Sequence, residues 1–138
     1  MTLAPVFLTL DQVLEVHREQ LSLFGGSDGV RDQGLLDAAL AMPQAGFGGE
    51  YAHEDIPAMA AAYLFHIVKN HPFIDGNKRV GADVALIFLG LNGFESRLTN
   101  EEVVSLTLGV AEGRLSKKEA TETLRLKTKR IPRGRKRP

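Results

Sequence analysis

The chain contains no cysteine, which excludes disulfides and thiolate metal sites and fits a reducing, cytoplasmic setting. No apolar run reaches the ~18 uncharged residues that a membrane span requires. The opening stretch MTLAPVFLTLDQ lacks both a basic region and a cleavage site of small residues, so no secretory signal is expected. Acidic residues are missing from the end of the chain, since all 17 lie at or before Glu122. Eight of the 17 basic residues follow that point, so a body of net −8 to Leu124 (9 cations less 17 acids) precedes a tail of +8. A tail of this kind, with prolines and no acids, is expected to be disordered past Ile131 and able to touch nucleic acid or an acidic protein.

What is present is ordinary for one globular domain. A chain of 138 residues that is 43% hydrophobic and 25% charged can build a single real core. We expect a domain over residues 1–126 and a basic tail over 127–138. The fold expected is all-α, a compact bundle of about six helices with one short strand at Val6–Leu8. Thr9 with Gln12, Thr99 with Glu102 and Ser116 with Glu119 have capping-box spacing and open helices. Asp55 and Pro57 open another, because proline in a first turn forfeits no hydrogen bond. The segment IPAMAAAYLFHIVKN is apolar nearly all round and is expected to be the buried central helix. A second buried helix is expected from Asn77 to Leu91, stopped by Asn92-Gly93. GSDGVRDQG and PQAGFGGEYAHED are expected to be loops, with the short helix LLDAALAM between them.

The chemistry concentrates between the two buried helices, in HPFIDGNKRV, residues 71–80. A helix start leaves backbone N–H groups unpartnered and carries partial positive charge. Gly76 permits the positive φ that an anion-binding nest needs. Asn77 can cap the helix or hydrogen-bond an oxyanion. Lys78 and Arg79 in a first turn oppose the helix dipole, a cost that makes sense where a multiply charged anion sits. Arginine grips two phosphate oxygens and lysine adds a point charge. Asp75 would repel phosphates unless Mg²⁺ lies between them. Histidine accepts a proton near neutral pH, so His71 can act as base toward an attacking hydroxyl. Phe73 is the apolar anchor expected to hold the loop on the core. Base, metal ligand, anion nest and two cations together describe a site for phosphoryl or nucleotidyl transfer.

At these residues the chain resembles the Fic/Doc superfamily, and its Doc (death-on-curing) toxin branch in particular. Fic enzymes carry H-P-F-x-[D/E]-G-N-G-R, and Doc proteins have lysine at the second glycine, where this chain has Lys78 in HPFIDGNKR. The likeness covers about residues 9 to 126, including AAYLFHIVKNHPFIDGNKRVGADVALIFLGLNGF, GVRDQGLLDAAL and LTLGVAEGRLSKKEATETL. The resemblance implies His71 as the catalytic residue, Asp75 at the Mg²⁺ position, and Gly76, Asn77, Lys78 and Arg79 as binders of the ATP phosphates. It implies a toxin that transfers the γ-phosphate of ATP to elongation factor Tu, arrests translation, and is restrained by a Phd-like antitoxin. The motif [S/T]-x-x-x-E-[G/N] of Fic inhibitory helices has no match here, which implies inhibition in trans.

Three rival readings stand beside this one. The same loop could transfer AMP rather than phosphate. The chain could be an inactive module that works only by binding. His53, His66 and His71 could form a metal-hydrolase cluster, although no HExxH spacing supports it and His66 falls on an apolar helix.

Overall fold

The structure, a computed structural model, describes residues 4–131. Six helices follow the expected order: α1 (Leu10–Phe24), α2 (Gln33–Ala41), α3 (Ile56–Asn70), α4 (Asn77–Leu91), α5 (Asn100–Ala111) and α6 (Lys117–Leu126). The three capping boxes form as their spacing demands, with Thr9, Thr99 and Ser116 each accepting from the N–H three residues on and the Gln or Glu reaching back. Asp55 caps α3 with a bond to the Ala58 N–H at 2.9 Å, and Pro57 sits in its first turn. α3 is the central element: Pro57–Leu64, Ile67 and Val68 are all buried, and α2, α4, α5 and α6 all pack on it.

The most extensive contact is between α3 and α4. A Cβ at Gly81 would stand 2.9 Å from the Val68 Cγ2 and 3.4 Å from the Leu64 carbonyl oxygen, so a side chain there would force Val68 to shift. Tyr63, Phe73, Phe88, Leu64, Ile67, Val80 and Val84 fill the space around that crossing. Burying such side chains contributes roughly 1.5–3 kcal/mol each, which fixes the joint between the helices from beneath. No helix among the described residues is long and apolar enough to cross a membrane.

The all-α expectation holds, and strand content is confined to short pairs elsewhere than expected. Val6–Leu8 forms no strand. It is extended but bonded to side chains: the Asn92 carboxamide exchanges two bonds with Val6 (2.7 and 2.9 Å), and the Leu8 N–H donates to the Tyr63 hydroxyl at 3.1 Å. The expected loop after α2 instead begins with a 3₁₀ turn over Met42–Gln44 and a small hairpin, β1 (Gly46–Phe47) with β2 (Glu50–Tyr51). The segment expected as a basic tail from 127 begins with β4 (Thr128–Arg130), which pairs antiparallel with β3 (Phe94–Ser96). Arg130 lies over the Phe94 ring, 4.8 Å from its centroid. Residues 132–138, with the remaining cations of the tail, lie outside the described residues.

Candidate active site

The joint between α3 and α4 carries the candidate chemistry. α3 ends at His71, which takes left-handed backbone angles (φ 50°, ψ 54°) and is the one non-glycine residue with positive φ among the described residues. Pro72 disfavours helical angles at the residue before it, so the helix must end there. Holding a side-chain-bearing residue in such a region costs on the order of 1–3 kcal/mol and persists only where the surroundings enforce it.

The loop that follows is nailed down on its inner side. Phe73 is fully buried, and the His17 ring from α1 stacks on it. The His17 Nε2–H donates to the Asp75 carbonyl oxygen at 2.9 Å. Gly76 then adopts φ 85° and opens α4, the only one of the six helices with no side-chain N-cap. Among the described residues, no side chain therefore serves the first N–H groups of α4, which suits an incoming anion.

Asn77, expected to cap the helix or bond an oxyanion, makes no cap and bonds the preceding loop. Its side chain is buried, with Oδ1 accepting from the Phe73 N–H at 2.9 Å and Nδ2 donating to the Phe73 carbonyl at 3.0 Å. Both ends of the amide bond the loop backbone, so the side chain braces the turn; the second Nδ2–H makes no bond among the described residues.

The remaining candidates converge. His71, Asp75, Gly76, Asn77, Lys78 and Arg79 line a single cavity of about 650 Å³, walled by α1, α4 and α5. Its far wall is apolar, formed by Phe24, Leu86, Val103, Val104 and Leu108. The Arg79 guanidinium stacks over the Phe24 ring, 4.5 Å from the centroid, which holds one cation at the mouth of the nest. Gln20 and Asp83 are hydrogen-bonded across the same wall at 3.0 Å.

Asp75 fits a magnesium role of the limited kind. One carboxylate oxygen, Oδ2, accepts from the Ser27 N–H at 2.7 Å, and the side chain is exposed toward the cavity, leaving its other oxygen open. Mg²⁺ is commonly held by one or two carboxylates together with substrate phosphates and water. No cluster of three or more His, Asp or Glu that could hold a metal by itself occurs among the described residues. The residues present therefore suit a metal that arrives with a nucleotide rather than one held in a protein cage.

The three-histidine metal reading does not survive. His53 and His66 do not line this cavity, and the His66 Nε2 lies 3.0 Å from the Lys117 ammonium. Burial, then Lys117, then His53 push His66 down to about 4, so it is the neutral partner of a lysine.

Several residues of the site were not singled out from sequence. Arg31, in the loop before α2, donates from Nε to the His71 carbonyl (2.7 Å) and from Nη2 to the Asn70 carbonyl (3.0 Å). Phe24, Ser27 and His17 complete the frame. Ser27 and Arg31 lie in the run of polar and glycine residues after α1, which is too long for a plain turn, whereas His17 and Phe24 lie on α1 itself.

A left-handed histidine and an uncapped cationic helix start share one cavity. The Fic/DOC family model matches residues 7–89. The phage P1 protein called protein kinase doc is 32% identical over 118 residues, covering 83% of this chain and 90% of that protein. A protein called toxin Doc from Mycolicibacterium smegmatis is 47% identical over 72 residues, covering 52% of this chain and 55% of that one. The chain belongs to the Fic/Doc family, on its Doc branch.

Proposed function

We propose that this protein is a Doc-type toxin that transfers the γ-phosphoryl group of ATP to a hydroxyl of a protein target. The observation that carries the reading is the shared cavity of His71 and the uncapped start of α4. In the proposed reaction the triphosphate end of ATP lies against the N–H groups of Gly76–Arg79. Lys78 and Arg79 neutralise its charge. His71 accepts the proton of the target hydroxyl as that oxygen bonds to the γ-phosphorus. The bond from the γ-phosphorus to the bridging oxygen breaks, and ADP leaves. Mg²⁺, held through Asp75, would supply charge neutralisation of the phosphate oxygens.

Lys78 supports phosphoryl over AMP transfer. A glycine there would leave room for phosphates to pass deep into the nest, whereas lysine fills part of that volume and offers its charge to a terminal phosphate. The names of the two relatives, a kinase and a toxin, agree with this reading. Elongation factor Tu is the proposed target, translation arrest the consequence, the cytoplasm the setting, and a Phd-like antitoxin bound in trans the restraint.

The test is to incubate the protein with ATP labelled at either the α or the γ phosphorus and purified elongation factor Tu. Label from the γ position on the target, lost in His71→Ala, is expected. Incorporation of α label instead would replace the kinase reading with AMP transfer, and growth arrest unchanged in His71→Ala would favour the binding module.

A further inference from the structure

We infer that Arg31 is a positioning residue for His71: it holds the left-handed turn that aims the imidazole into the cavity. This rests on the proposed role of His71 as base. One residue engages three consecutive carbonyls of the turn. The Arg31 guanidinium donates to those of Asn70 (3.0 Å) and His71 (2.7 Å), and its backbone N–H donates to that of Pro72 (2.7 Å). The Asp32 N–H adds a second bond to Pro72 (3.1 Å), and the Ile74 N–H donates to Gly29 (3.0 Å), so the segment around Arg31 runs as a strap along the loop.

The physical need for such a strap is specific to residue 71. Before a proline, a residue relaxes toward extended angles. His71 does not, and the direction of its Cβ depends on that backbone choice. A guanidinium has a rigid fork of donors that can serve two neighbouring carbonyls at a helix end, where partial negative charge gathers. A lysine, with one compact ammonium, cannot reproduce both contacts.

The anion nest has its own supports. Asn77 braces Phe73 on both backbone atoms, and His17 holds the Asp75 carbonyl. Loss of the guanidinium is therefore felt by the base and not by the phosphate site. That separation distinguishes aiming from general support of the fold.

The experiment compares wild type, Arg31→Lys and Arg31→Gln in γ-phosphoryl transfer. In Arg31→Gln the kcat is expected to fall about 10- to 100-fold while the KM for ATP stays within about twofold, with Arg31→Lys between. A wild-type kcat in Arg31→Gln, or a KM rising in step with the loss, overturns the inference. A second readout does not depend on activity: the HN–Hα coupling and Cα shift of residue 71 report its φ. The left-handed signature is expected to be lost in Arg31→Gln and weakened in Arg31→Lys; its retention in both overturns the inference. Should wild type transfer no phosphate at all, the reading of His71 as base fails, and the φ measurement still decides whether Arg31 sets the turn. If Arg31→Gln does not fold, the same two measurements on Arg31→Lys decide.

Discussion

The ring of His17 lies flat on that of Phe73, with centroids 3.9 Å apart and planes 9° from parallel. His17 is almost wholly buried and spends its Nε2–H on the Asp75 carbonyl, so one side chain from α1 supports both the anchor of the loop and the backbone of the candidate metal ligand. His17→Phe keeps the stack and loses the donor. Leaving a part-buried carbonyl unpaired costs about 1–3 kcal/mol. Thermal unfolding of His17→Phe is expected to shift down by several degrees, with weaker magnesium dependence of transfer. An unchanged Tm would mean that the hydrogen bond carries no load.

Asn77→Ala separates two roles for one residue. As a brace, its loss strands the Phe73 N–H and C=O, which are buried, at about 1–3 kcal/mol for each group left unpaired. The expected outcome is a clear fall in the urea midpoint. If the side chain served phosphate instead, the midpoint would hold while the KM for ATP rose.

Acid should weaken the fold in a definite window. In the folded chain His66 is pushed down to about 4, mostly by burial and then by Lys117, against an ordinary 6.5. The unfolded chain therefore binds the extra proton between those values. Stability is full above about 6.5 and declines as pH falls toward 4. His53 is lowered in the same direction, first by burial and then by Lys117, and adds to the slope. Urea midpoints measured at about pH 7.5 and about pH 5 should differ in wild type and differ less in His66→Phe. Equal pH dependence in the two proteins would contradict the assignment.

The helices and the gathering of the candidate residues were legible because their signals are local. Gly76 and Asn92-Gly93 bracket α4 at the boundaries read from sequence, and each capping box is a contact over three residues. The motif residues are neighbours in the chain and needed only one helix start to gather them. What escaped depends on distance or on short elements. Arg31 meets His71 across 40 positions, and no pattern around GVRDQG shows which carbonyls it will serve. The β1–β2 hairpin has strands of two residues, too short to display alternation. β4 looked like charge destined for solvent because its partner, Phe94–Ser96, lies in a different part of the chain. Val6–Leu8 has the residues of a strand, but a carboxamide and a phenol take its hydrogen bonds.

The most direct measurement of the central claim is an amide-resolved titration with MgATP. The account predicts that the N–H signals of Gly76, Asn77, Lys78 and Arg79 and the imidazole signals of His71 move together along one saturating curve. Saturation that moves signals elsewhere and leaves those five residues still would contradict it.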